Sequence, residues 1–187
     1  MDPRLARLRE LLDRDAVRRA APGETFTLAS GKPSHYFVNG KEVTLRAEGL
    51  HLVATLMLER LVGTGVEAVG GMSIGADPIV GAIVALSAAG DQPLQGFLVR
   101  KTAKDHGLKD AVAGPSLAGV RRVAMVEDVT TTGGSTLTAI ESLKAAAPEV
   151  EVVKVLTILD RQEGALKNFA AAGYHLEALL SRSDLGL

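Results

Sequence analysis

Residues Val123 to Thr136 read VAMVEDVTTTGGST, and their types suit a site for a phosphorylated sugar. An apolar run ends in two acids, Glu127 and Asp128, which can accept hydrogen bonds from sugar hydroxyls. Thr130, Thr131, Thr132, Ser135 and Thr136 can donate hydrogen bonds to phosphate oxygens. Gly133 and Gly134 let the backbone from Val129 onward turn tightly and set bare N–H groups against an anion. A helix starting just after them adds a positive dipole end and unpaired donors. The stretch is not a P-loop, because no Gly-Lys-Ser/Thr is present and the acids precede the glycines. It also lacks the dinucleotide GxGxxG. An ordinary strand-to-helix turn with Thr and Ser as caps is the competing reading. Two adjacent acids at a strand's end weigh against it.

A second segment, RKTAKDHG, places Arg100, Lys101, Lys104 and His106 close together after a short apolar run. A cationic loop of this kind can neutralise charge that develops on a polyanionic leaving group. Arginine offers a bidentate fork and lysine a point charge. A solvated surface turn is the alternative. If mobile, the loop could close over a site and exclude water.

Three further segments complete the set. GGMSIGAD, from Gly70 to Asp77, could turn backbone N–H groups toward a second anion, or simply cap a helix with Asp77 ahead of Pro78. Asp160-Arg161-Gln162-Glu163 follows an apolar strand, so Arg161 is expected near a ligand rim or in a surface pair with Asp160. Phe26 to Lys41 holds half of the chain's six aromatics, and Tyr36 and Phe37 could cover a planar ring or pack on the core. His35, His51 and His175 stand isolated and are given no role. No spacing of His, Asp and Glu makes a dedicated protein metal cage.

These residues need a scaffold, and the sequence supplies one. The chain has 187 residues, 47% of them hydrophobic, which is enough for a sizeable core. Aromatics are only 3%, so that core must be built from Ala, Val, Leu and Ile. A formal net charge of −1 argues against a general nucleic-acid binder. Cysteine is absent, which removes disulfides and thiolate chemistry. The N-terminus alternates charge with leucine and lacks the apolar core of a secretory signal. Apolar runs such as Pro78 to Leu86 are too short to span a bilayer, so a soluble cytoplasmic protein is expected.

Periodicity predicts an N-terminal amphipathic helix and a helix over 47–61. Beyond them, predicted strands at 66–69, 96–99, 122–126, 152–159 and 175–180 alternate with helices at 78–88, 135–146 and 165–172. A short strand is possible at 36–38. Alternation of this kind implies an α/β fold with a mainly parallel twisted sheet covered on both faces. Ligands bind such sheets at the carboxyl ends of the strands. The segments 70–77, 100–109, 127–135 and 160–163 all fall at that rim.

VAMVEDVTTTGGST resembles the phosphoribosyl-diphosphate motif of the type I phosphoribosyltransferases. FTLASGKPSHYF, RKTAKDHG and LDRQEGA resemble, in order and approximate spacing, segments of the orotate phosphoribosyltransferases. The resemblance implies a single domain over 1–187, with a small hood mainly from 1–45 and a C-terminal contribution. It implies transfer of the phosphoribosyl group from 5-phosphoribosyl 1-diphosphate to orotate, with Mg²⁺ carried mainly by substrate oxygens rather than protein ligands. It also implies a homodimer with shared sites. By position, Glu127 and Asp128 hold the ribose hydroxyls, and Val129 to Ser135 line the phosphoribosyl site, with Thr131 to Ser135 on the 5′-phosphate. Thr131 and Arg161 contact orotate beside Tyr36 and Phe37. Arg100, Lys101, Lys104 and His106 bind diphosphate, with Lys104 the most rate-sensitive. Purine-type phosphoribosyltransferases share only the central motif. A sensor of phosphoribosyl diphosphate would usually carry a nucleic-acid-binding extension.

Two departures stand out. Some relatives have lysine where this chain has Ala29, and others have lysine around Gly75. Lys32 lies in the same segment as Ala29 and is expected to replace the first contact in part. Lys32→Ala should then raise a Michaelis constant or lower turnover in steady-state kinetics. Unchanged constants would remove Lys32 from the site.

Overall fold

The computed structural model describes residues 2–27, 33–101 and 111–187. Helix α1 (Pro3–Leu11) starts on Asp2, whose side chain accepts the Arg4 N–H at 2.8 Å, and buries Leu8 and Leu11. Strands β1 (Val17–Arg19) and β4 (Tyr36–Val38) pair antiparallel, as do β2 (Phe26–Thr27) and β3 (Pro33–Ser34). A short α2 (Lys41–Thr44) leads into α3 (Ala47–Leu61). The remainder alternates: β5 (Ala68–Met72), α4 (Asp77–Ser87), β6 (Gln95–Val99), β7 (Val112–Ala113), β8 (Arg122–Thr130), α5 (Gly134–Ala146), β9 (Glu151–Asp160), α6 (Ala165–Ala171) and β10 (Leu176–Ser181).

Six strands form one sheet in the order β10-β9-β8-β5-β6-β7. Every neighbouring pair is parallel except β6 and β7. Alternate residues of the central strands serve opposite faces. Val69, Val126, Leu156 and Ile158 join a core with α1, α3 and α4. Met125, Val123 and Val155 join another with Ile140 and Leu143 of α5 and Phe169 of α6. The expected α/β layering with helices on both faces is what the chain forms. Near the N-terminal strands the two ends of the chain meet: Leu185 and Leu187 pack with the α1 core, and Arg19 Nη2 donates to the Leu185 carbonyl at 3.3 Å.

The chain leaves β5 for β6 on one side, and β8 is followed by β9 and β10 on the other. The order therefore reverses between β5 and β8, which is where open α/β sheets place ligands. Strand β8 also outruns β5. Its pairing with β5 ends at Gly70↔Met125, whereas its pairing with β9 continues to Thr130↔Asp160. Glu127 and Asp128 thus belong to the strand, paired on the β9 side, and not to a turn beyond residue 126. The sequence places the strand's end too early because acids and threonines break its apolar pattern.

Gly70 and Gly71 likewise lie inside β5 and do not end it. A Cβ on Gly71 would stand 2.2 Å from the Val126 carbonyl oxygen and 2.5 Å from the Ala76 Cβ. Gly71 lets β8 and the start of α4 close onto β5, and Gly70 makes room for the Phe97 ring of β6, which its Cβ would meet at 2.3 Å. The short strands β1, β2, β3 and β7 escape sequence reading, because two or three residues show no period.

Two alanine substitutions separate these roles. Gly71→Ala must displace backbone and is expected to cost about 2–3 kcal/mol. Gly81→Ala, in α4 with open space around its Cβ position, is expected to gain roughly 0.5–1 kcal/mol. Urea unfolding midpoints check both; equal effects would overturn the close-packing account of β5.

Candidate active site

The end of β8, the following turn and the start of α5 enclose a cavity of ≈ 400 Å³, lined by residues 127–136 and by Lys41. Gly133 adopts φ +82°, the left-handed conformation that favours glycine, and starts α5 with no side-chain cap. A Cβ there would also meet the Phe169 ring at 2.6 Å. The first-turn N–H groups of α5 are consequently left to face an anion. Asn168 Nδ2 donates to the Thr132 carbonyl at 2.8 Å and ties the turn to α6. Thr132, Gly134 and Ser135 are exposed, whereas Thr130 is buried with its Oγ1 unpartnered.

Glu127 and Asp128 are each only 8% exposed. Thr136 Oγ1 donates to Glu127 Oε2 at 2.9 Å, and the Val129 N–H donates to Asp128 Oδ1 at 2.8 Å. Burial, and then the neighbouring Asp128 charge, push the Glu127 carboxyl up to about 8. Lys41 Nζ stands 3.6 Å from Asp128 Oδ2. The backbone closes on the pair from two sides: a Cβ on Gly40 would lie 2.9 Å from Asp128 Oδ2, and one on Gly75 2.7 Å from Asp128 Oδ1. A side chain at position 75 would therefore collide with the acids in this arrangement, which gives the Gly75 departure a physical reason.

Arg161 sits at the end of β9 with 4% exposure. Its N–H donates to the Thr130 carbonyl at 2.9 Å, so it is joined directly to the end of β8. Its Nε donates to Glu163 Oε1 at 2.9 Å and its Nη2 to Ser34 Oγ at 3.2 Å. The guanidinium carbon lies 4.4 Å from the centre of the Tyr36 ring, within cation–π reach. The surface pair with Asp160 does not form: Asp160 Oδ1 accepts the Gln162 N–H at 2.8 Å, and Glu163 takes the guanidinium. That turn is held by Gln162 at φ +56°.

Tyr36 and Phe37 point to different places. Tyr36 faces Arg161 with its hydroxyl buried and unpartnered, while Phe37 is 40% exposed with its ring centre 6.3 Å from that of Phe26. Adjacent strand residues face opposite ways. Asp77 is the first residue of α4 and not its cap, and its carboxylate accepts Ser73 Oγ at 2.8 Å. The rim turn after β5 is therefore formed by 73–76, not by the two glycines. Arg100 and Lys101 are exposed directly after β6. Lys104 and His106 lie outside the described residues, as do Ala29 and Lys32. Sequence reading flags the segments that hold Lys41, Glu163 and Ser34 but gives these residues no role; only the structure shows that 33–41 folds back over the end of β8 and β9.

No protein-family model matches the chain. Orotate phosphoribosyltransferase of Thermosynechococcus vestitus is 45% identical over 99% of this chain and 96% of its own length. The chain belongs to the orotate phosphoribosyltransferase family. The Synechocystis enzyme of that name is 40% identical over 97% of this chain and 90% of its own length. Among solved structures, the Mycobacterium tuberculosis orotate phosphoribosyltransferase in complex with 5-phospho-alpha-D-ribosyl 1-diphosphate is similar, with a TM-score of 0.79 and 34% identity. That match covers 99% of this chain and all of the other. The fold is thus that of the type I phosphoribosyltransferases.

The shifted Glu127 has a measurable sign. The folded state holds this proton more tightly than the unfolded state, so its contribution is full below the ordinary carboxylate range. It is lost as pH rises through about 8. Glu127→Gln should therefore gain stability relative to the parent between pH 5 and pH 8, on the order of a few kcal/mol. Denaturant melts across that range test it, and a difference independent of pH would show that Glu127 is not held protonated.

Proposed function

We propose that this chain transfers the phosphoribosyl group of 5-phosphoribosyl 1-diphosphate to orotate, giving orotidine 5′-phosphate and diphosphate in pyrimidine biosynthesis. The observation that carries this reading is the hydrogen bond from the Arg161 N–H to the Thr130 carbonyl, 2.9 Å long. It joins a phosphate-and-ribose cavity to a cation stacked on an aromatic ring. A donor seat and a seat for a flat anionic acceptor are thereby held side by side.

In the reaction the bond from C1 of the ribose to the diphosphate oxygen breaks, and its electron pair leaves with diphosphate. A ring nitrogen of orotate forms the new bond to C1 and loses its proton. The turn Thr131 to Ser135 and the start of α5 hold the 5′-phosphate, while Glu127 and Asp128 accept from the ribose hydroxyls. Fixing the ribose in this way supplies positioning. Arg161 binds the orotate carboxylate, Thr131 lies near the pyrimidine, and Tyr36 and Phe37 flank it. Arg100, Lys101, Lys104 and His106 neutralise the departing diphosphate.

Mg²⁺ is the implied cofactor. Among the described residues no group of three or more His, Cys, Asp or Glu is placed to hold a metal, and the acids already accept protein donors. That donor set fits an ion carried by diphosphate and ribose oxygens, with Glu127 and Asp128 orienting the hydroxyls rather than caging the metal. When bound, Mg²⁺ supplies positive charge to the diphosphate. Residues 1–187 act as one unit, with 1–45 and the C-terminus forming the hood. The enzyme works as a cytoplasmic homodimer in which the cationic segment of one subunit serves its partner's site.

Purified protein with orotate, phosphoribosyl diphosphate and Mg²⁺ should consume orotate, read as loss of its ultraviolet absorbance. Activity with adenine or hypoxanthine and none with orotate would reverse the acceptor. Lys104→Ala should lower turnover by roughly 10²-fold or more with little change in melting temperature. Mixing it with a Gly133→Ala variant should recover activity in heterodimers; no recovery despite proven subunit exchange would refute shared sites.

A further inference from the structure

Among the described residues lining the phosphoribosyl cavity, Lys41 is the cationic one. The acids there are Glu127, which burial keeps protonated, and Asp128, whose carboxylate repels a phosphorylated ligand. Lys41 follows directly on Gly40, whose Cα is pressed so closely on Asp128 that a Cβ would come 2.9 Å from both the Asp128 Cβ and Oδ2. The main chain is therefore seated against the acid, which carries the lysine to the cavity wall. The Gly75 backbone closes the other side of the same carboxylate.

The ion pair itself is loose. At 3.6 Å, Nζ and Oδ2 lie beyond hydrogen-bond distance, and 39% of the Lys41 side chain is exposed. Only the lysine is half-exposed, since the Asp128 side chain is 11% exposed, and Asp128 keeps the Val129 N–H at 2.8 Å when the lysine moves away. With the 5′-phosphate taken at the α5 start, as proposed above, the Ser135 end of the cavity holds one anionic group, whereas Lys41 stands at the Asp128 end. A donor that carries phosphate at both ends of a ribose spans that distance with its second anionic group toward Lys41.

We infer that Lys41 is a donor-binding residue that exchanges its partner during turnover. It leaves Asp128 for the diphosphate when phosphoribosyl diphosphate enters, and frees the Asp128 carboxylate for a ribose hydroxyl. On release of diphosphate the pair with Asp128 re-forms. The exchange keeps one compensating charge beside the buried acid in the free enzyme and moves it to the ligand in the bound one. This role rests on the reading of the cavity as the phosphoribosyl-diphosphate site.

Steady-state kinetics of Lys41→Ala, Lys41→Gln and Lys41→Arg, with titration of inorganic diphosphate by calorimetry, test the assignment. The neutral variants should raise KM for phosphoribosyl diphosphate and Kd for diphosphate roughly tenfold or more. KM for orotate should stay within about twofold and the melting temperature within a few degrees. Lys41→Arg should recover most of the loss, because it keeps the charge. An unchanged KM for the donor, an equal rise for both substrates, unchanged diphosphate affinity or no recovery with arginine would each overturn it. The parent enzyme's orotate turnover, measured in parallel, tests the functional reading separately.

Discussion

Two adjacent carboxylates held almost out of water at the end of a central strand set the terms for the rest of this site. Charged groups in such a place must be paired, hydrogen-bonded or protonated. The chain uses all three means. Thr136 and the Val129 N–H donate to the acids, Lys41 stands opposite Asp128, and Glu127 holds its proton up to about pH 8. Even the glycines at 40 and 75 answer to this constraint, since the backbone could not approach the acids with side chains at those positions.

Strand length makes that arrangement possible. Because β8 runs past the last residue paired with β5, its final turn of sequence is anchored on the β9 side only. The acids gain a rigid backbone without the crowding of a fully sandwiched strand. Beyond Thr130 the chain turns under Asn168 and packs Gly133 on Phe169, so the turn rests on a core residue of α6. A ligand meeting the exposed Thr132, Gly134 and Ser135 meets a surface already in place.

Much of this was readable from residue types alone. The long alternation of apolar strands and helices gave the α/β sheet, and α3 falls on the same residues that its periodicity predicts. EDVTTTGGST marked the cavity because acids, hydroxyls and glycines in that order have few uses together. What escaped was whatever depends on separation in sequence. Lys41 lies far from Asp128 along the chain, and Ser34 far from Arg161, so no local pattern links them. The ends of β5 and β8 escaped for another reason. Glycine and acid break an apolar run in sequence, yet backbone pairing carries the strand through them. Tyr36 and Phe37 show a third limit, since adjacent aromatics read as a pair although strand geometry turns them apart.

Arg161 is braced almost wholly by residues outside the phosphate turn: Tyr36, Ser34 and Glu163. One main-chain bond connects it to Thr130, and main-chain bonds do not depend on side-chain identity. The scaffold therefore separates two evolutionary variables. Side chains around the arginine can change while the turn after β8, fixed on α6 by Asn168 and Phe169, stays as it is. A lineage built on this sheet can diversify its chemistry by editing one wall of the crevice, and the other wall serves as inheritance.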